Sequence, residues 1–320
     1  MTGLIGHGPA WRQFSSALAS GKLHHGWILS GPRGIGKAEF AVRAASALVD
    51  PENRYTSMIE RGSHPDILVI NRLPKEAPKE GEEAAPSAEL KRSISVDQIR
   101  SLQSSLTKRP GLADKRAVII DSADDLERSG ANALLKSLEE PPVGTYFLLV
   151  SHASDRLLPT IRSRCQTLRF DALGDSDMTM ALQNIAPEAS GAEIAALVRA
   201  GNGAPGQAID FLGLELGKLE DAMTSIIVSG DKNNALRTAL AEQLALKAAQ
   251  PRYEAFLRRA PSRIAENARH VDAGAALAAT DAWRAASGLA NRAVALSLDK
   301  QSVVFQMGSL LASLQPHKAA

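Results

Sequence analysis

A short glycine-rich run constrains the fold of this chain more than any other feature of its sequence. An apolar segment at 27–29 leads into the run, and a helical pattern follows it over 38–49; the run itself is Gly31-Pro32-Arg33-Gly34-Ile35-Gly36-Lys37. It fits the first seven positions of G-x-x-x-x-G-K-[ST], in the required place between a strand and a helix. Its glycines let backbone N–H groups turn towards phosphate oxygens, and the helix N-terminus adds a favourable dipole. The run therefore predicts a phosphate-binding loop in which Lys37 reaches the β- and γ-phosphates.

Two alternatives explain the glycines less well. A dinucleotide-binding turn needs the spacing G-x-G-x-x-G, which is not met. A glycine-rich turn without a ligand stays open, although the flanking strand and helix patterns disfavour it.

Apolar runs alternate with helical patterns through the first half of the chain. They predict strands at 27–29, 66–70, 117–120 and 146–150, with helices over 38–49, 96–106 and 129–139. Continuous apolar strands separated by helices indicate a parallel sheet covered on both faces. We therefore expect an α/β domain over residues 1–170.

Two parts of the chain depart from this pattern. Residues 72–92 are Pro, Glu, Lys and Ala with almost no large apolar side chain, which predicts a mobile surface insertion. After residue 170 the sequence is rich in Ala and Leu with helical spacing, and breaks are expected at 201–206, 230–231, Pro251 and Pro261. These breaks indicate a small helical domain at 171–213 and a larger one at 214–320.

The set of groups that hydrolysis needs is incomplete. Position 38, where Ser or Thr would bind Mg²⁺, is Ala38, which has no side-chain oxygen. Asp121 ends the third predicted strand, where a carboxylate would hold the metal; a turn or N-cap residue is the less favoured alternative. The next residue is Ser122, and its hydroxyl is too short and too weakly basic to orient an attacking water. The pattern predicts a weak, largely Mg²⁺-independent ATP site without independent hydrolysis.

Composition excludes several other classes of protein. The lone cysteine, Cys165, rules out an intramolecular disulfide and a multi-cysteine zinc site. Residues 1–170 carry a net charge of +4 (23 basic, 19 acidic) and residues 171–320 carry −2 (14 basic, 16 acidic), which is weak for a DNA-binding domain. No apolar run approaches the roughly 20 residues of a membrane span, and residues 1–8 do not resemble a signal peptide, so we expect a cytoplasmic protein without membrane contacts.

Other polar residues have ordinary explanations when read alone. Arg164 fits a surface salt bridge, and Cys165 fits a small buried apolar residue. His24, His25 and the turn His64-Pro65 are interpreted as structural.

Together these segments make a specific resemblance. The chain is similar to bacterial AAA+ clamp-loader proteins, which open the ring-shaped sliding clamp and close it on primed DNA. The residues that carry the resemblance are Gly31–Lys37, His64-Pro65-Asp66, Val96-Asp97-Gln98-Ile99-Arg100, Asn132-Ala133-Leu134-Leu135-Lys136-Ser137-Leu138-Glu139-Glu140-Pro141-Pro142 and Ser163-Arg164-Cys165. The match covers about residues 1–170, and the helical remainder matches in layout alone.

This resemblance implies an architecture and a set of partners. It implies a RecA-like AAA+ P-loop domain at 1–170, a small helical lid at 171–213 and an all-helical collar at 214–320. In the family the collar joins several motor subunits and a further subunit, called delta, into a hetero-pentameric ring. This ring contacts the sliding clamp and primed DNA. DNA synthesis itself belongs to the DNA polymerase III holoenzyme rather than to this chain.

The departures from the motor subunits point to one kind of family member. Motors have a hydroxyl at position 38, a Glu at position 122 and a sensor arginine where Gly206 stands in this sequence. All three changes imply a subunit that does not hydrolyse ATP, acts as a stator and supplies Arg164 in trans to a neighbour's ATP. Relatives often carry a four-cysteine zinc module that residues 50–63 lack here, so no zinc is expected.

Two other functions remain as alternatives. A self-sufficient AAA+ motor ATPase is disfavoured by Ala38, Ser122 and Gly206. A DNA-binding AAA+ initiator or adaptor is disfavoured by the weak basic charge and by the lack of a helix-turn-helix or zinc-finger signature.

Overall fold

Five short strands form a parallel sheet in the computed structural model, which describes residues 5–76, 89–268 and 273–315. The strands are β1 (Gly26–Ser30), β2 (Ile67–Asn71), β3 (Arg116–Asp121), β4 (Thr145–Ser151) and β5 (Gln166–Arg169). Their order is β2-β3-β4-β1-β5, and every neighbouring pair is parallel. β1 is an inner strand between β4 and β5, so the loop that follows it leaves from within the sheet.

Helices cover both faces of the sheet, as predicted. The helices of this part are α1 (Gly8–Ala19), α2 (Lys37–Val49), α3 (Thr56–Glu60), α4 (Val96–Leu106), α5 (Arg128–Glu139), α6 (Pro159–Arg162) and α7 (Asp175–Ile185). Phe14 of α1 and Phe40 of α2 lie in one buried cluster with Leu29. Ile99 of α4 and Leu134 of α5 lie in a second buried cluster. Alternate residues of β1, β3 and β4 enter the two clusters, so these three strands are buried on both faces.

Strand β5, helix α1 and the short helices α3 and α6 were not predicted. The sequence indicated four strands, and β5 is a fifth, in which Leu168 is buried while the other three residues are exposed. Such a polar strand at the sheet edge gives no apolar run to detect. Helix α1 likewise has just two buried residues, Ala10 and Phe14.

The ends of the predicted insertion at 72–92 are paired, and its middle, 77–88, lies outside the described residues. Pro74 and Leu90 form an antiparallel bridge. The Lys75 amide donates to the Glu89 carbonyl and the Lys91 amide donates to the Leu73 carbonyl, both at 2.7 Å. Mobility of the whole segment stays a prediction.

The second half of the chain is helical in the residues described. Its helices are α8 (Gly191–Gly201), α9 (Pro205–Ile209), α10 (Leu216–Ser229), α11 (Ala235–Ala245), α12 (Gln250–Ala268), α13 (Ala273–Ala295) and α14 (Lys300–Ala312). The chain divides into two compact units, Met1–Ala181 with Gly203–Gly206, and Leu182–Asn202 with Gln207–Ala320. The division at residues 170 and 213 stays a prediction.

The break expected at Pro261 is wrong, because Pro261 lies inside α12. A proline removes one helical hydrogen bond and crowds the preceding turn. Here Pro261 is buried, and nearby Arg259, whose side chain is 2% exposed, pairs with Glu220 and with Glu266 at 2.8 Å. Packing and this buried ion-pair cluster keep the helix continuous across the proline.

None of the described helices is both long and apolar enough to cross a membrane.

Candidate functional site

The predicted phosphate loop connects the end of β1 to the start of α2 at Lys37. Gly34 and Gly36 have φ angles of +80° and +96°, a region that favours glycine. A Cβ atom on Gly31 would lie 2.2 Å from the Phe170 carbonyl oxygen. The loop therefore needs its glycines for backbone conformation and for close packing, and phosphate binding by the loop stays a prediction.

Lys37 is folded against its own loop. Its side chain is buried, and Nζ donates to the carbonyl oxygens of Gly31 at 2.7 Å and Pro32 at 2.5 Å. Burial lowers the pKa of Lys37 to about 8, against the opposing effect of the Asp121 and Asp124 carboxylates. A polyphosphate would have to draw this ammonium group away from the two carbonyls.

Two further contacts hold the loop backbone. The Gly206 amide donates to the Gly34 carbonyl at 2.8 Å. The buried His7 ring hydrogen-bonds to the Ile35 carbonyl through Nε2 and packs edge-on against Phe170. Sequence reasoning missed His7, because nothing in the chain pairs it with a loop 28 residues away.

Carboxylates and a serine lie at the end of β3. Burial raises the pKa of Asp121, and the positive charge of Lys37 partly offsets that rise. The Oγ of buried Ser122 has no hydrogen-bond partner among the described residues. Ala38 presents an exposed methyl group at the start of α2. Of the three positions predicted to bind the metal or orient the water, 38, 121 and 122, the one with a suitable oxygen is Asp121.

Asp124, which the sequence did not single out, joins the ends of β3 and β4. It accepts hydrogen bonds from Ser151 Oγ at 2.9 Å, the His152 amide at 2.6 Å and the Ala153 amide at 3.2 Å. Asp124 therefore fixes the backbone beside the loop.

The imidazole of His152 lies near the same charges. Burial lowers the pKa of His152, and the Lys37 charge lowers it further.

Arg164 lies in the turn between α6 and β5. Its Nη2 forms a 2.6 Å ion pair with Glu139, and Nη1 donates to the Thr160 carbonyl at 3.0 Å and to Ser163 Oγ at 3.2 Å. The Arg164 side chain is 33% exposed. Its neighbour Cys165 is mostly covered, and burial raises the pKa of that thiol to about 12.

Strand register places Arg164 at the amino-terminal ends of the strands and the phosphate loop at their carboxyl ends. β1 and β5 are parallel, and a Cβ on Gly26, the first residue of β1, would lie 3.1 Å from the Arg164 carbonyl oxygen. The loop begins at Gly31, beyond the other end of β1. Five strand residues span about 16 Å, so Arg164 is remote from the phosphate loop of its own chain.

The remaining predicted residues have structural contacts. The His25 Nε2 donates to the Leu138 carbonyl at 2.9 Å, and His24 stacks on His25. The Nδ1 of buried His64 accepts the Asp66 amide at 3.2 Å, which fixes the turn into β2.

Asp66 is the centre of a buried polar cluster. Its carboxylate accepts the amides of Gly111 at 2.6 Å, Leu112 at 2.7 Å and Ala113 at 2.9 Å, and Arg116 lies 3.9 Å away. These donors hold the pKa of Asp66 below its usual value despite complete burial.

A carboxylate also organises the segment at 50–63, which contains no cysteine. The buried Asp50 side chain accepts the amides of Arg54 at 2.8 Å and Tyr55 at 2.7 Å. Among the described residues, no group of His, Cys, Asp and Glu could hold a metal ion.

The similarity of this chain to solved structures is low, as measured by the TM-score. A DNA polymerase III gamma subunit-related protein from Thermotoga maritima has a TM-score of 0.46 at 16% identity, over 94% of this chain and 98% of that one. The RuvB Holliday junction branch migration motor of the same organism has a TM-score of 0.43 at 18% identity, over 69% and 64%. With TM-scores below 0.5, these likenesses support no conclusion about function.

Sequence comparisons are more specific. A DNA polymerase III subunit delta' of Pseudomonas aeruginosa is 36% identical over 166 residues, which are 48% of this chain and 46% of the relative. The Bacillus subtilis delta' subunit is 32% identical over 49% and 45%, and a Buchnera aphidicola gamma subunit is 30% identical over 57% and 48%. The matched part of the chain thus spans about half the length of these relatives. Residues 6–174, just over half of the chain, match the family described as "DNA polymerase III, delta subunit". The chain therefore belongs to this family of clamp-loader proteins.

Proposed function

We propose that this chain is the clamp-loader subunit that does not hydrolyse ATP, corresponding to the relatives named delta'. In this role it joins motor subunits and delta in a ring and acts as a stator while the sliding clamp is loaded onto primed DNA. Its own chemical contribution is Arg164, which acts on ATP held by the neighbouring subunit.

The placement of Arg164 carries this proposal. The side chain is partly exposed and lies at the opposite end of the strands from the phosphate loop of the same chain, so it is out of reach of phosphates on that loop and accessible to those held by another chain. A guanidinium group keeps its charge at all physiological pH values and presents a planar set of donors that suits phosphate oxygens. Arginine fingers supplied by a partner contribute about 10³–10⁵ in rate in related NTPases.

The loop of the chain itself supports the non-hydrolysing role. Ala38 and Ser122 leave the metal and the attacking water without the side chains that motors use, and Lys37 is bound to loop carbonyls. Because some relatives are named gamma, a motor ATPase remains the alternative function of this chain. The same residues of the loop disfavour it.

The test uses the chain assembled with motor subunits, delta, clamp and primed DNA. Arg164→Ala should assemble normally and lower the stimulated ATPase per mole of intact complex, and Arg164→Lys should recover little of it. Arg162→Ala is the matched control, since Arg162 is nearby and exposed and its ion pair with Asp155 is long, at 3.7 Å. Full ATPase activity in an intact Arg164→Ala complex would exclude the finger role.

A further inference from the structure

The run Glu139-Glu140-Pro141-Pro142 has no part in the function proposed above, although it helps to define the resemblance. Glu139 is the last residue of α5, and its Oε1 accepts from Arg164 Nη2 at 2.6 Å. The adjacent Glu140 is exposed and has no ion pair within the described part of the chain. Glu139, and not Glu140, therefore contacts Arg164, the proposed arginine finger.

Three contacts hold the Arg164 guanidinium, and each comes from a different residue. Glu139, the Thr160 carbonyl and the Ser163 hydroxyl together account for three of its five N–H donors. Two donors remain for an incoming phosphate oxygen. The side chain is thus held in one orientation and can still donate to a ligand.

The backbone of Glu139 is fixed by its position, while its side chain is 48% exposed. The preceding residue, Leu138, is 1% exposed in the core, and its carbonyl accepts a 2.9 Å hydrogen bond from His25. A carboxylate at the end of a well-packed helix can hold a flexible arginine because its own backbone does not move.

We propose that Glu139 is the positioning residue of the trans-acting finger, holding Arg164 in the orientation that reaches the neighbour's ATP. This inference rests on the function proposed above. A free arginine loses conformational entropy when it is ordered in the transition state, and one that is already held loses less. Removal of the carboxylate should therefore slow the chemical step and leave ATP binding to the neighbour intact.

The experiment measures kcat and KM for the stimulated ATPase of the assembled complex. Glu139→Ala should lower kcat about fivefold with an unchanged KM for ATP. Glu139→Gln keeps an oxygen acceptor and should recover most of the activity, and Glu140→Ala should match the unsubstituted complex. Unchanged or increased kcat in Glu139→Ala would overturn the proposal, and so would a loss of complex yield or melting temperature with a normal kcat per complex.

A double-substitution cycle separates this inference from the finger role itself. If Glu139 acts through Arg164, Glu139→Ala will cause no further loss in an Arg164→Ala complex. A further loss would show that Glu139 acts elsewhere and would overturn the inference, while the finger role would stand on the Arg164→Ala result. Full activity in Arg164→Ala alone would remove both.

Discussion

Replacement of Asp66 by alanine should destabilise the sheet domain by about 3 kcal/mol. The carboxylate is fully buried and accepts three backbone amides at 2.6–2.9 Å, and a typical hydrogen bond contributes about 1 kcal/mol net. Gly111 and Leu112 are exposed, so their amides can bind water once the carboxylate is gone, which keeps the loss from being larger. For a domain of this size, about 3 kcal/mol lowers the melting temperature by roughly 6–12 °C.

Chemical denaturation of Asp66→Ala, followed across pH, tests this value. The pKa of Asp66 is lowered in the folded chain, so its stabilisation is fully present above the usual value of 3.8 and is lost as pH falls through the lowered pKa. The difference between the two proteins should therefore be constant from pH 7 to about pH 5 and shrink below pH 4. Asp97→Ala, which removes an exposed carboxylate, is the control. A loss below about 1 kcal/mol for Asp66→Ala would refute the reasoning that the three amides depend on this carboxylate.

Two further predictions concern the phosphate loop. The isolated chain should turn over ATP with Mg²⁺ no faster than Lys37→Ala, because Ala38 and Ser122 supply neither metal ligand nor base; a coupled assay showing motor-like rates that Lys37→Ala abolishes would contradict this. A fluorescent ATP analogue should bind weakly and with little dependence on Mg²⁺, and its affinity should fall between pH 7 and pH 9 as Lys37, whose pKa is about 8, loses its charge. Lys37→Ala should remove that pH dependence, and no saturable binding at millimolar nucleotide would mean that the loop is purely structural.

The sequence predicted the parts of the molecule that have local signals. Strands β1 to β4 are apolar runs, and α2, α4 and α5 have helical spacing, so their existence and type follow from neighbours in the chain. β5 has one buried residue and is held in place by β1, a partner more than 130 residues earlier.

The candidate site divides in the same way. The glycines and Lys37 belong to one continuous pattern that can be read directly. The pair of Glu139 and Arg164 joins residues 25 positions apart, and the contact of His7 with the loop joins residues 28 apart. Their meeting depends on the crossing of strands and helices, which a single sequence does not specify.

The close approach of Gly206 to the phosphate loop limits which residues can stand at position 206. A Cβ atom at this position would lie 2.9 Å from the Gly34 Cα and 3.0 Å from the Gly34 carbonyl oxygen, and these backbone atoms cannot rotate away as a flexible side chain would. Arginine at this position would therefore meet a steric barrier before its side chain could extend over the loop. Position 206 can therefore take a larger residue only if the phosphate loop changes shape with it, so that glycine and the conformation of the loop constrain each other.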